Sequence, residues 1–135
     1  MIEQKPMQVD EFIAVMMANK TVYPEFATAS PETQFLMANI NTRTGTAISY
    51  FEDGKLVGMG GIRYLGLGEA WMITPPEIRE HRGLSLFKAA KFNFEKQRDE
   101  LKLWRVFAET KISDNFLKHL DFVKLDRGFV WNRTL

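Results

Sequence analysis

The strongest constraint on the fold is a series of glycine-punctuated, strand-like segments in the middle of the chain. Residues 48–52 and 56–65 are rich in branched and aromatic side chains, and they flank Asp53-Gly54, a pair that favours a tight β-hairpin turn. Glycines inside the second segment predict a bulge or the close approach of another backbone. A third strand is predicted over 69–74. The sequence therefore predicts a three-stranded antiparallel meander.

A strand–helix–strand pattern follows the meander. A long amphipathic helix over 83–98 carries Phe87, Ala90 and Phe94 on one face, and a short apolar strand over 103–108 comes after it. Such a unit normally forms a right-handed parallel crossover. We therefore expect the strands over 69–74 and 103–108 to be parallel.

Two helices are predicted before the meander. Val9 to Met17 has apolar residues at helical spacing, with Asp10 as the expected N-cap. The second helix is indicated by Ser30-Pro31-Glu32, a capping serine followed by proline at the first helical position. We expect this helix to bury Phe35, Leu36 and Ile40, and we expect residues 21–29 to form a loop. A short helix over 113–120 and a hairpin formed by 122–125 and 129–131 are predicted to close the chain.

Composition limits the classes of site that the chain can carry. The 135 residues suffice for one domain, predicted over 1–135. Eighteen Lys and Arg against seventeen Asp and Glu give a net charge of +1, which argues against a nucleic-acid partner. The chain has no cysteine, so disulfides, thiolate metal sites and a cysteine nucleophile are excluded. Its two histidines lack carboxylate partners at metal-ligand spacing, and no metal is predicted. No signal peptide or membrane-length apolar run is present, so we expect a cytoplasmic protein without a membrane partner.

The most informative segment for chemistry is the strand-to-helix junction over 73–85. Between Glu77 and Arg98 there are six basic and three acidic residues, a local charge of +3 that exceeds the +1 of the whole chain. The backbone N–H groups at a helix N-terminus favour a bound phosphate. Two interpretations stay open on these residues alone: a pyrophosphate site, or an ordinary turn beside a solvated helix face.

The order of elements and this junction together resemble the Gcn5-related N-acetyltransferase (GNAT) family. The acetyl-coenzyme A motif of that family begins with three consecutive positions: an apolar residue, any residue, and Pro. After a spacer come Gln or Arg, two residues, Gly, any residue, and Gly or Ala. Ile73 and Pro75 match the first part of this motif, and Arg82-Gly83 matches its core. Two positions depart from it: Glu80 stands where the motif has Gln or Arg, and Ser85 stands where it has the second small residue. The resemblance implies an α/β fold with a mixed, mostly antiparallel sheet and helices on both faces.

The resemblance also implies acetyl-CoA as acyl donor and a set of residues that hold it. The backbone of Ile73 and Thr74 would pair with the pantetheine arm of the cofactor. Thr110 stands at an asparagine position of the family. The remaining implied cofactor-binding residues lie in the loop and at the helix start: Arg79, His81, Arg82, Gly83, Leu84 and Ser85.

Catalysis in this family needs a base for the acceptor ammonium and a proton donor for the departing thiolate. Glu69 lies where some members hold a glutamate, and it is the expected base, with an exposed strand-start carboxylate as the alternative interpretation. A family tyrosine commonly donates the proton, but Leu117 stands at its position, and Asp121 replaces a family glycine nearby. Leucine cannot donate a proton, so we expect water to do so. The implied function is transfer of an acetyl group to an amine by direct attack.

The segment over 71–122 is similar to a group of small phage-encoded proteins with the same fold. The shared features are Trp-x-x-Thr before the loop, a lysine-rich helix, and Phe-Leu-Lys in the short helix. Some of these proteins are linked to virion assembly. The second hypothesis is therefore a catalytically degenerate GNAT-fold phage protein that acts in binding or virion assembly, in the host cytoplasm or the virion. The predicted partners are acetyl-CoA and an unknown amine or protein acceptor, with a virion protein, a host protein or a second copy of the chain left open.

Overall fold

A seven-stranded sheet forms the centre of the fold. The computed structural model describes residues 1–43, 45–64, 67–78, 84–109, 115–125 and 128–133. The strands in chain order are β1 (Ile2–Pro6), β2 (Ile48–Glu52), β3 (Lys55–Tyr64), β4 (Gly68–Ile73), β5 (Arg105–Ala108), β6 (Val123–Lys124) and β7 (Phe129–Asn132). Their order across the sheet is β1-β2-β3-β4-β5-β7-β6. The β4–β5 pair is parallel, and the other described pairs are antiparallel.

Helices pack on both faces of this sheet. They are α1 (Val9–Ala18), α2 (Pro24–Ala27), α3 (Pro31–Asn41), α4 (Leu84–Glu100) and α5 (Asn115–His119). Met72 and Ile73 are neighbours on β4 and therefore point to opposite faces. Ile73 packs in a cluster with α1, α2 and α3, whereas Met72 packs against α4. The predicted mixed, mostly antiparallel α/β fold is confirmed.

The central hairpin forms as its turn residues predict. Asp53 and Gly54 have φ angles of 53° and 78°, the positive values that a two-residue turn of this type requires. The pairing of β2 with β3 shifts register between Tyr50 and Phe51, which places a bulge in this hairpin. The expected close approach occurs at Gly60, where a Cβ atom would lie 2.6 Å from the Trp71 carbonyl oxygen.

The helix starts and helix faces were predicted with mixed success. Ser30 caps α3 as expected, because its Oγ accepts a hydrogen bond from the Thr33 N–H at 3.2 Å. The prediction of Asp10 as the cap of α1 is wrong: the cap is Gln8, whose backbone N–H donates to Glu11 Oε1 at 2.9 Å. The predicted loop over 21–29 contains the short helix α2.

The predicted buried face of α3 is wrong at Phe35 and Leu36, whereas Ile40 is half-buried. Phe35 and Leu36 are 57% and 61% exposed, whereas Ala38 and Asn41 are buried. The inward face of α3 is therefore formed by a small residue and a polar one. Asn41 is accommodated there because its Oδ1 accepts a hydrogen bond from Arg63 Nη1.

Three further differences concern single elements. Strand β1 was not predicted, and it pairs antiparallel with β2 at the edge of the sheet with mostly exposed side chains. The strand predicted over 103–108 begins only at Arg105. On α4, Ala90 and Phe94 are buried as expected, but Phe87 is exposed. In the described part of the chain, no helix is both long and apolar enough to cross a membrane.

Candidate functional site

Strands β4 and β5 are paired over a short stretch and then separate. Their parallel ladder joins Gly68 to Val106 and Glu69 to Phe107. Strand β4 continues to Ile73 with β3 along its other edge. Among the described residues, the ladder with β5 does not extend along this part of β4, so none of them pairs with the β5-facing backbone edge between Ala70 and Ile73.

A pocket of about 500 Å³ opens where the two strands separate and extends beneath α4. Its sheet side includes Gly60 and Ala70, whose small size leaves the space open. Leu86, Ala90 and Phe94 line it from α4. The lining is largely apolar with a few polar groups, a composition typical of sites for small organic molecules.

Two amide side chains of α4 bring polar groups to this pocket. Asn93 and Gln97 are both buried. Asn93 Nδ2 donates to Gln4 Oε1 at 2.8 Å and to Tyr50 Oη at 3.2 Å. Gln97 Nε2 donates to the Thr46 carbonyl oxygen at 2.7 Å. Both Gln97 and Trp71 are lining residues, and two of their side-chain atoms, Gln97 Oε1 and Trp71 Nε1, are buried without a hydrogen-bond partner among the described residues.

Tyr50 brings a buried hydroxyl to the pocket. Burial raises the pKa of this hydroxyl above its ordinary value of 10.0, and the hydrogen bond from Asn93 offsets part of that effect. The hydroxyl therefore keeps its proton at neutral pH. Because Asn93 donates to Oη, the hydroxyl proton itself is left to donate elsewhere.

Two of the described cofactor-binding candidates, Ile73 and Thr74, are lining residues of the pocket. Ile73 and Thr74 line it at the end of β4, although the Thr74 carbonyl oxygen accepts a hydrogen bond from Asn19 Nδ2 at 3.2 Å. Leu84 and Ser85 are the first two residues of α4, and Ser85 is not a lining residue. The other candidates, Arg79, His81, Arg82, Gly83 and Thr110, lie outside the described residues.

Glu69, the predicted base, lies on β4 but does not line the pocket. Its side chain is 48% exposed and forms an ion pair with Arg63, whose Nε donates to Oε1 at 2.6 Å. Glu109 is the carboxylate among the described lining residues, and the sequence analysis missed it. The signal that could have found it is its position, directly after a short apolar strand that faces the cleft.

Helix α5 lines the opposite wall of the pocket. Leu117, at the position of the family tyrosine, is buried there, and His119 lines the pocket as well. Asp121, which stands where the resemblance has glycine, adopts a φ of 66°. That left-handed conformation is one that glycine favours, so the backbone at Asp121 would suit the glycine that the resemblance expects there.

Comparison with solved structures identifies the same architecture in several acetyltransferases. An acetyltransferase from Streptococcus agalactiae is 13% identical with a TM-score of 0.67, over 98% of both chains. YncA from Salmonella typhimurium, solved with its cofactor acetyl-CoA, is 12% identical with a TM-score of 0.63, over 96% of this chain and 89% of that one. A GNAT-family acetyltransferase from Bacillus anthracis is 16% identical with a TM-score of 0.62, over 96% and 90% of the two chains. This chain has the GNAT fold.

The sequence itself gives no closer relative. A comparison with protein-family models finds no match. A comparison with curated proteins finds none either. At 12–16% identity, the solved structures establish the fold of this chain. Within the described residues, no group of three or more His, Cys, Asp or Glu side chains is placed to hold a metal ion.

Proposed function

We propose that this protein binds acetyl-CoA in the pocket between β4 and β5 and transfers its acetyl group to an amine. The separation of the two strands carries the proposal. It leaves a backbone edge of β4 beside an apolar pocket of about 500 Å³. The amide groups of a narrow ligand, such as the pantetheine arm, would form hydrogen bonds with the backbone of that edge, while its methylene groups contact the apolar walls. The GNAT fold and the acetyl-CoA of YncA support the same ligand.

The phosphates of the cofactor would lie at the start of α4. Leu84 and Ser85 begin this helix, and its N-terminal dipole favours an anion. Arg79, His81, Arg82 and Gly83 precede them in the sequence and would complete this part of the site, with Thr110 beside the cofactor.

Acetyl-CoA would supply an activated acyl carbon: the amine nitrogen attacks it, a C–N bond forms and the C–S bond breaks. The nitrogen gives up a proton as it becomes an amide, and the departing thiolate takes up a proton. The chain itself must remove a proton from the acceptor ammonium before the attack. Direct transfer is expected, because no cysteine is present to carry the acyl group. Trp71 and Tyr23 line the pocket, and their aromatic faces with the Glu109 carboxylate would suit a cationic amine.

Two carboxylates are candidates for the base. Glu69 would act directly or through water, with Arg63 holding its carboxylate in place. Glu109 lines the pocket and would need no intervening group. If Glu69 is the base, Glu69→Gln should slow turnover by at least tenfold while acetyl-CoA affinity changes little. Glu109→Gln is the matched variant, and a large loss of turnover in that variant alone would assign the role to Glu109.

The proton for the thiolate would come from water or from Tyr50. Leu117 cannot supply it. Tyr50 has a protonated hydroxyl at neutral pH and lines the pocket.

The second candidate function is a binding protein that keeps the fold without the chemistry. Two observations favour it: Leu117 lies in the pocket wall at the tyrosine position, and Glu69 is engaged by Arg63. Such a protein would act through a virion or host protein, or through a second copy of the chain, as the phage-like segment suggests. Like the enzyme, it would be expected to work in the cytoplasm or in the virion.

A thiol-release assay separates the two functions. Acetyl-CoA is incubated with the protein and a panel of amines that includes a polyamine, a lysine peptide and an N-terminal α-amine, and free CoA thiol is measured over time. Amine-dependent release above the rate without protein supports the enzyme. Saturable acetyl-CoA binding without release for any amine supports the binding protein.

A further inference from the structure

Helix α3 turns two of its large apolar side chains toward solvent. Phe35 and Leu36 are 57% and 61% exposed, and Ile40, one turn after Leu36, is half-buried. A single apolar residue on a surface is ordinary, whereas adjacent large ones are typical of an interaction surface. Because α3 packs on its own chain through Ala38 and Asn41, the exposed side is available for a contact with another molecule.

The charges on this side of α3 lie at its two ends. Glu32 is in the first turn, and Arg43 follows the helix, with its N–H donating to the Ile40 carbonyl oxygen at 3.2 Å. Residues 33–42 carry no charged side chain. A spacing of four, three and four residues places four positions on one stripe of a helix: Glu32, Leu36, Asn39 and Arg43. The stripe therefore runs from an acid, across an uncharged centre, to a base.

Such a stripe is complementary to a second copy of itself. In an antiparallel pair of α3 helices related by a two-fold axis midway along the stripe, Glu32 lies opposite the partner's Arg43, and Arg43 lies opposite the partner's Glu32. The same pairing sets Phe35 against the partner's Ile40. Opposite ends of the two helix dipoles also come together. A parallel pair would instead bring like charges together at both ends.

Both charged residues are available for such a contact. Glu32 and Arg43 are exposed. Neither side chain forms an ion pair with any other residue that the structure describes. The alternation of charge along α3 is therefore not used within the described part of the chain, and it specifies both the occupant of the exposed side and its direction.

We propose that two copies of this chain associate through antiparallel α3 helices, with reciprocal Glu32–Arg43 ion pairs at the two ends of the contact. Phe35, Leu36 and Ile40 of both copies would form its apolar centre. A standard interface buries roughly 800 Å² per partner, more than one helix of 11 residues offers, so we expect a dimer that dissociates at micromolar concentrations. The inference is independent of the proposed function, because no described residue of α3 lines the pocket.

Sedimentation velocity over micromolar to sub-millimolar concentrations tests the contact. The weight-average mass of the wild-type protein should rise from that of one chain toward that of two. Leu36→Glu should abolish this rise, because it buries two carboxylates in the apolar centre. Phe92→Glu is the matched control: Phe92 is also a large exposed side chain, at 64%, but it lies on α4. That variant should associate like the wild type, with circular dichroism showing that both variants are folded.

Charge reversal tests the direction of the two helices. Glu32→Arg or Arg43→Glu alone sets like charges opposite each other at both ends of an antiparallel pair, and each should raise the dimer dissociation constant about tenfold. The double variant Glu32→Arg/Arg43→Glu restores opposite charges and should associate like the wild type. An equimolar mixture of the two single variants should do the same, because every basic residue of one chain then faces an acidic residue of the other.

Three outcomes would overturn the inference. A wild-type protein that stays monomeric at the highest concentration would leave the exposed side of α3 to a different partner. A dimer that Leu36→Glu does not weaken would place the contact on another surface. Single charge reversals that associate like the wild type would refute the antiparallel pairing. None of these results bears on acetyl-CoA binding, and a protein that fails to bind acetyl-CoA could still dimerise, so the failures of the two proposals are distinguishable.

Discussion

Gly60 and Gly58 offer a matched test of how closely β3 and β4 approach at the pocket. Both lie on β3, and neither has a positive φ. A Cβ atom on Gly60 would lie 2.6 Å from a backbone oxygen, which can move only if the two strands part. A Cβ atom on Gly58 would lie 3.3 Å from methyl groups of Leu86 and Thr74, which can rotate away. We therefore expect Gly60→Ala to reduce the free energy of unfolding by about 2 kcal/mol, within the range for overpacking. Gly58→Ala should stay within about 1 kcal/mol of the wild type, because alanine also restricts the unfolded chain.

Urea unfolding followed by circular dichroism measures both variants against the wild type. The loss in Gly60→Ala corresponds to a fall of roughly 7 °C in Tm for a chain of this size. Acetyl-CoA affinity should fall in Gly60→Ala and stay unchanged in Gly58→Ala, because only the first substitution displaces the β4 backbone. Equal stability losses in the two variants, or a Gly60→Ala protein as stable as the wild type, would refute the close approach.

Three further predictions concern one backbone position and two titrating groups. Asp121→Gly should raise the free energy of unfolding by about 0.5–1 kcal/mol, because glycine adopts the φ of 66° without steric cost; a loss of stability in urea would contradict it. Burial raises the pKa of Tyr50, so its contribution to stability is complete below pH 10.0 and is lost as the pH rises through the raised pKa. Tyr50→Phe should therefore lose less stability than the wild type between pH 8 and pH 11, and an unchanged decline in urea midpoints would show that other groups cause it. Asp99 is exposed, and hydrogen bonds from Arg98 and Arg133 lower its pKa, so its stabilising effect should be lost as the pH falls through that pKa. Asp99→Asn should reduce this acid dependence, measured by urea midpoints between pH 2 and pH 5, and an unchanged dependence would contradict the assignment.

The elements that the sequence predicted well are those with strong local signals. Asp53-Gly54 determines its turn through backbone angles that few other pairs tolerate, and Ser30 caps α3 with its own side chain. Strand β1 carries no such signal, because its side chains are mostly exposed and its place depends on pairing with β2. Periodicity showed that α3 is a helix, but the orientation of its faces depends on partners elsewhere in the chain. Ala38 and Asn41 face inward on α3, and Phe35 and Leu36 lie on its exposed side.

In the candidate site too, residues within a local sequence motif could be predicted, and residues brought there by packing could not. Ile73, Thr74 and the start of α4 could be predicted, because a sequence motif places them together. The positions of Glu109 and Gln97 in the pocket lining could not be predicted, since they depend on where β4 and β5 separate and on how α4 lies across the sheet. A glutamine among charged residues on a helix is indistinguishable in sequence from a solvated one, and only the packing shows that Gln97 is buried.

Calorimetric titration of the wild-type protein with acetyl-CoA tests the proposed site most directly, with Gly83→Asp as the matched variant. We expect saturable binding at one site per chain in the wild type. In Gly83→Asp, a side chain and a negative charge near the cofactor phosphates should abolish that binding. Absence of binding to the wild type at millimolar acetyl-CoA would contradict the proposed function, and unchanged affinity in Gly83→Asp would show that the phosphates lie elsewhere.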